Sequence, residues 1–319
     1  MLRSFFIYLS KAAWARRLVT KWSVAWSMAS RFVAGDTLDD AVRVIKAVNL
    51  KGINASLDHL GEHTTNPEDS YKATQDILTA IDTIAESGMC ANVSIKLTQI
   101  GLSLDAALCA ENLRKILTYA GSKGNFVRID MEDSAATQKT LELVHQMRSE
   151  GFTNFGVVIQ SYLYRSDDDV KRLAHEKIPV RLCKGAYKEP PEVAYPKKKD
   201  VDTAFDRLAV ILLDASLEEG AQSLSEDCKI PPLTALATHD EKRIAFALAY
   251  SEKIKLPKRK MEFQMLHGIR RDIQEKLAKD GYPVRVYVPY GTEWYPYFMR
   301  RLAERPANLW FFVLNFFHR

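Results

Sequence analysis

The sequence predicts a closed (β/α)8 TIM barrel, and three observations point to it. Eight short segments read as strands, helix-sized amphipathic stretches separate them, and 319 residues suffice for one such barrel with additions. Strands joined by helix-length crossovers run parallel, and eight is the number that closes the sheet on itself. The strand candidates are 53–60, 92–98, 126–132, 156–162, 179–187, 233–240, 261–267 and 284–290. Helical periodicity fills 70–86, 103–119, 135–150, 166–176 and 202–219. The widest interval, 188–232, opens with KEPPEVAYPKKKD, where Pro190, Pro191 and Pro196 exclude a helix. No internal repeat or linker divides the chain. Residues 36–308 are therefore expected to form one barrel, preceded by extra N-terminal helices.

The last strand and helix carry the most chemistry. Val284, Val286 and Val288 alternate with Arg285, Tyr287 and Pro289, the period of two that sends the two sets to opposite faces. Gly291 ends the run, and Thr292 is the expected N-cap of the next helix. On that helix Glu293, Tyr297, Arg300, Arg301 and Glu304 recur at three- and four-residue steps and share a face. Adjacent arginines on a helix are commonly a solvated face, here paired to Glu304. The neighbouring aromatics and the strand end just before them favour a carboxylate grip, because each guanidinium presents a planar fork of donors.

The chain ends share a composition. Residues 1–35 hold no Asp or Glu, carry Arg3, Lys11, Arg16, Arg17, Lys21 and Arg31, and interleave Phe5, Phe6, Tyr8, Trp14, Trp22 and Trp26. A helical segment packed on the barrel is the first expectation, one lying on a membrane surface the second, an organelle transit peptide the third. The tail at 309–319, rich in aromatics, repeats the theme. Net charge is +5, but the basic residues beyond the first segment are dispersed, which gives nucleic-acid binding little support. Cys90, Cys109, Cys183 and Cys228 show no metal-ligand spacing, so reduced thiols and no metal site are expected.

Barrel enzymes do their chemistry at the C-terminal strand ends, and nearly every candidate strand ends in polar residues. In order these are Lys96; Arg128, Asp130 and Glu132; Gln160 and Tyr162; Arg181, Lys184 and Tyr187; Thr238, His239 and Asp240; Gln264 and His267; and Tyr287. One such residue is easily a satisfied core group. The whole set implies a shared polar ligand, since unpaired buried charges cost several kcal/mol each. Arg181, Lys184, His239, Arg300 and Arg301 suit anionic groups, balanced by Asp130, Glu132 and Glu304. No dinucleotide glycine fingerprint, phosphate loop, zinc-binding helix motif or nucleophile elbow occurs. Arg181 and Lys184 are three apart, which strict alternation would send to opposite faces unless Gly185 introduces a bulge.

These stretches resemble the proline dehydrogenase family. The resemblance is carried by SIKLTQIG (94–101), RIDMED (128–133), GVVIQSYLYRS (156–166), VRLCKGAYKEP (180–190), ATHD (237–240), EFQMLHGIRRD (262–272) and VPYGTEWYPYFMRRLAERPAN (288–308). It implies a distorted (β/α)8 barrel and FAD-dependent oxidation of L-proline to Δ1-pyrroline-5-carboxylate by hydride transfer to flavin N5, with electrons passed to a quinone. By position, Arg300 and Arg301 resemble the carboxylate clamp, helped by Lys96, while Asp130, Tyr287 and Tyr297 line the substrate pocket. Gln160, Arg181, Lys184, Gly185, Ala186, Tyr187, Thr238, His239, Gln264 and Glu304 match positions around FAD, Arg181 near N5. His267 departs from a tyrosine common in the family, and Cys183 stands in the flavin-side strand. The chain looks like the single-activity bacterial form, cytoplasmic or peripheral on the inner membrane. Other readings of the same residues are oxidation of 4-hydroxyproline or another cyclic amino acid, a Schiff-base lyase built on Lys96 or Lys184, and a non-catalytic, membrane-associated amino-acid binder without the flavin.

Overall fold

The computed structural model describes residues 28–61 and 64–304 together with 9, 12 and 26, apart from the side chains of 303 and 304. Its centre is a closed barrel of parallel strands in chain order. They are β1 (Asn54–His59), β2 (Ala91–Ile95), β3 (Val127–Ile129), β4 (Phe155–Gln160), β5 (Val180–Cys183), β6 (Thr234–Ala237), β7 (Met261–Leu266) and β8 (Val284–Tyr290). Pairing of β1 with β8, from Asn54 opposite Arg285 to His59 opposite Tyr290, closes the cylinder. Helix α1 (Leu38–Asn49) precedes it, started by a reciprocal Thr37–Asp40 capping box. It buries Ala41 and Ile45 in the main core. The outer helices are α2 (Pro67–Ser87), α3 (Ala106–Ser122), α4 (Ser134–Ser149), α5 (Ser166–His175), α6 (Lys198–Ala215), α7 (Glu241–Lys253) and α8 (Arg271–Lys279). Each expected strand has its observed counterpart, most of them shorter. None of the helices among the described residues is long and apolar enough to cross a membrane.

Strand alternation sorts the barrel wall into two populations. Val284, Val286 and Val288 of β8 join Met261, Phe263 and Met265 of β7 in the core shared with the helices. The alternate residues point inward, and many of them are polar. Arg128, Arg181, Glu262, Gln264 and Arg285 are all at most 6% exposed. A barrel interior is more often filled by branched aliphatic layers. Arg285 Nε donates to Glu262 Oε1 at 2.9 Å, and its two terminal nitrogens donate to the carbonyls of Ala55 and Cys228, each at 2.7 Å. Arg128 Nη1 donates to the carbonyl of Pro179 at 2.7 Å. Gly156 makes that possible, because a Cβ there would stand 2.3 Å from the Pro179 oxygen and 2.7 Å from Arg128 Nη1.

Helix α9 (Trp294–Glu304) follows β8 but does not join the main core. Trp294, Tyr295, Phe298, Met299 and Leu302 form a separate apolar cluster with Ala29, Phe32, Val33 and Leu60. This is the distortion of the barrel. The helix begins at Trp294, two residues after Thr292. The described part of the N-terminal segment packs on α9, with the Trp26 and Trp294 rings 5.3 Å apart. Backbone bonds from Ala34 to Pro289 and from Gly291 to Gly35 tie it to the end of β8. The rest of residues 1–35, and the tail at 309–319, lie outside the described residues.

Gly156→Ala should lower the free energy of unfolding by about 2–4 kcal/mol, through the clash and the displaced guanidinium. Gly121→Ala in α3, where the nearest atom would be 3.5 Å away, should leave stability equal or slightly raised. Denaturant titration of both variants checks the contrast.

Candidate active site

One cavity of about 600 Å³ opens at the C-terminal end of the barrel. Its walls bring together Lys96, Asp130, Gln160, Arg181, Lys184, Gly185, Ala186, Tyr187, Thr238, His239, Gln264, Tyr287, Tyr297, Arg300 and Arg301. Of the residues matched by position to the family's substrate and FAD sites, Glu304 is the one not among them, and its side chain lies outside the described residues.

Asp130, just beyond β3, is the hub. Arg181 Nη1 donates to its Oδ1 at 2.8 Å, and Tyr287 Oη donates to its Oδ2 at 2.7 Å. Arg181 Nε donates to Gln264 Oε1, and Gln264 Nε2 donates in turn to Glu262 Oε1 at 2.5 Å. The Arg181 guanidinium also lies 5.4 Å from the centre of the Tyr287 ring, close enough for cation–π attraction. Burial first, then the adjacent Asp130 and Asp58 charges, holds the Tyr287 phenol well above its ordinary range. Tyr287 is therefore a neutral donor at any working pH.

Lys96 sits beside this hub on Asp58, which it contacts at 3.0 and 3.1 Å through its two carboxylate oxygens. Asp58 was not among the expected site residues. It is fully buried, and burial lifts its pKa to about 6; Lys96 opposes the rise and Asp130 adds to it. Its position near the end of β1, in step with inward Ser56, was the available signal.

Lys184 has a different setting. β5 ends at Cys183, so Lys184 belongs to the following loop and is released from the alternation that separated it from Arg181. Gly185 takes φ +103, and a Cβ there would stand 2.3 Å from the Tyr162 ring. Lys184 Nζ donates to Asp202 and, at 2.7 Å, to Asp240. Burial works to raise the Asp240 carboxyl, but the Lys184 hydrogen bond and charge win and hold it at about 2. Both lysines thus spend donors on carboxylates, whereas a Schiff-base lyase needs a free amine facing its substrate.

Three other expectations need correction. Arg128 is inward but serves the barrel wall through backbone carbonyls. Glu132 turns aside to accept from Thr98 N at 3.2 Å and Thr98 Oγ1 at 2.6 Å. His267 does not line the cavity; burial first, then Arg271, pushes its pKa down to about 4, so it is neutral. His239 accepts a hydrogen bond from Leu266 N at Nε2, leaving Nδ1 as its proton-bearing nitrogen. Cys183, Lys198 and Asp240 also line the cavity.

On α9, Arg301 lies over the Tyr297 ring with its guanidinium carbon 5.1 Å from the centroid. Arg300 is the next residue back along the same helix, and both arginines are half-buried at the mouth. The site thus offers a pair of guanidinium groups above, and a paired arginine, lysine and tyrosine set below.

Comparison with known proteins identifies the lineage. The family model described as proline dehydrogenase matches residues 41–312. Proline dehydrogenase 1 of Bacillus subtilis is 42% identical over 311 residues, 97% of this chain and 96% of that protein. Proline dehydrogenase of Deinococcus radiodurans is 40% identical over 296 residues, 90% of this chain and 89% of that protein. Among solved structures, proline utilization A from Bdellovibrio bacteriovorus inactivated by N-propargylglycine superposes with a TM-score of 0.77 at 27% identity. That match covers 87% of this chain and 32% of the larger one. With the family model spanning most of the sequence and two relatives at 40% identity or more over nearly their whole length, the chain belongs to the proline dehydrogenase family and is an oxidoreductase.

Proposed function

We propose that this protein oxidises L-proline to Δ1-pyrroline-5-carboxylate with FAD as its cofactor. The observation that carries the reading is the convergence of Arg300 and Arg301 with Arg181, Lys96 and Tyr287 on one cavity. A flavin fits the residues present. Gln160 Oε1 is buried against the cavity without a hydrogen-bond partner, an acceptor of the kind a ring N–H would satisfy. Gly185, where a side chain has no room, brings bare backbone to the same wall. Arg181, Lys184, His239 and Gln264 supply donors, and Glu304 is assigned to the same group.

When bound, FAD supplies a ring that accepts a hydride at N5. The protein's part is placement and charge. Arg300 and Arg301 hold the substrate carboxylate by charge-assisted bonds, and Lys96, fixed on Asp58, adds a third positive charge. Tyr297 and Tyr287 enclose the ring, and Asp130 pins the Tyr287 hydroxyl. The carbon beside the substrate nitrogen gives up a hydride only while the nitrogen lone pair is free, so the amine must be bound neutral. Arg181 is the cation set where negative charge grows. A quinone would be the electron acceptor, with the protein in the cytoplasm and peripheral on the inner membrane through the aromatic, basic segments at 1–35 and 309–319.

Purified protein supplied with FAD, L-proline and an artificial electron acceptor should yield a cyclic imine that o-aminobenzaldehyde traps as a coloured adduct. trans-4-Hydroxy-L-proline should react more slowly, because the pinned Tyr287 ring crowds the added hydroxyl. Tyr287→Ser should narrow the difference. No adduct, or faster turnover of hydroxyproline by the parent, contradicts the proposal.

Asp58 has a raised folded-state pKa near 6, so its carboxylate is present above that pH and lost below it. The kcat/KM of the parent should therefore fall on the acid side with an inflection near 6. Asp58→Asn should lower the plateau about 10- to 100-fold and remove that inflection. Profiles between about pH 5 and 8 check this, and an unmoved inflection would clear Asp58 of the role.

A further inference from the structure

The opposite end of the barrel holds a feature that proline oxidation does not use. The segment 216–233 between α6 and β6 crosses the N-terminal mouth and is pinned there from inside. Arg285 Nη2 donates to the carbonyl of Cys228 at 2.7 Å, and Asn92 Nδ2 donates to the carbonyl of Lys229 at 3.0 Å. Cys228 has φ +59, a left-handed conformation that residues with a Cβ seldom adopt.

Cys90, just before β2, is fixed beside it. Its N–H donates to Asn49 Oδ1 at 3.0 Å, and its carbonyl accepts from Ala55 N at 2.9 Å. Ala55 is also the residue whose carbonyl shares the Arg285 guanidinium with Cys228. The two cysteines are thus held by neighbouring backbone, both partly exposed; the Cys228 thiol donates to the carbonyl of Glu226 at 3.7 Å, and burial first, then the adjacent Cys90, raises its pKa. Neither of the other cysteines competes. Cys109 is buried against the carbonyl of Leu97, and burial first, with Glu132 adding to it, pushes its thiol up to about 12. Cys183 lines the cavity at the far end.

We infer that Cys90 and Cys228 are a redox-responsive thiol pair that closes to a disulfide across the barrel floor by exchange with a low-molecular-weight disulfide. One thiolate attacks the small disulfide, giving a mixed disulfide and one small thiolate. The second cysteine then attacks the protein-side sulfur and releases the other small thiolate. One S–S bond forms and one breaks, the cysteines lose two electrons to the small disulfide, and their two protons end on the two small thiols. The reaction staples the 216–233 segment to the start of β2, closing a long loop of chain.

The FAD-loaded full-length protein, incubated with glutathione disulfide, alkylated with N-ethylmaleimide and digested without reduction, tests this by mass spectrometry. The expected result is one cross-linked peptide pair joining Cys90 to Cys228, two hydrogens lighter than its separate halves, with both cysteines lost to alkylation. Reductant should restore both alkylated peptides. In Cys90→Ser and Cys228→Ser, each confirmed folded by circular dichroism, the remaining cysteine should carry a glutathione adduct instead. Wild-type protein in which Cys90 and Cys228 stay alkylated, or each carries its own glutathione with no cross-link, overturns the inference.

Discussion

Arg181 and Asp130 meet at 2.8 Å inside the barrel mouth, and the site is arranged by what each does with its remaining hydrogen-bonding capacity. Asp130 spends its second oxygen on Tyr287, while Arg181 spends Nε on Gln264. From there the bonds run down through Glu262 and Arg285 to the carbonyl of Cys228 at the floor. A column of polar side chains thus replaces the aliphatic filling expected of a barrel. Removing such charges from water costs several kcal/mol each, and mutual attraction repays that only when every lone pair and proton finds a partner. A buried network of this kind is therefore a poor way to gain stability. What it provides is rigidity at the mouth, where Arg181 and Tyr287 have little freedom to reorient before a ligand arrives.

The second structural requirement is that α9 leave the outer ring. A helix packed on the barrel wall would turn Arg300 and Arg301 toward solvent, with β8 between them and the cavity. The apolar cluster formed with Ala29, Phe32, Val33 and Leu60 holds it elsewhere. The N-terminal segment accordingly has a part in the site although none of its described residues lines the cavity.

Much of this was legible in the sequence because it rests on local rules. The alternation of Val284, Val286 and Val288 with Arg285 and Tyr287 separates the outer core from the interior at sight. The three- and four-residue spacing on α9 puts Tyr297, Arg300 and Arg301 on one side. What local rules could not supply was pairing between distant segments. Asp58 reads as an unremarkable polar residue near the end of β1 until the fold sets it against Lys96, 38 residues on. Lys184 reads as a free cation until Asp202 and Asp240 arrive from two other elements. Arg128 and Glu132 fit the same inward pattern as Asp130, yet their side chains turn to carbonyls and to Thr98. Periodicity assigns a face but not a partner.

The proposed function depends on paired guanidinium groups at the mouth holding a proline carboxylate against a bound flavin. Anaerobic titration of the FAD-loaded protein with L-proline, followed by visible absorbance, tests it most directly. The flavin bands should bleach without any added acceptor. In Arg301→Met they should bleach only at concentrations roughly 30-fold higher or more, with the starting spectrum unchanged. Failure of the parent to bleach, or bleaching of the variant at the same concentrations, would contradict it.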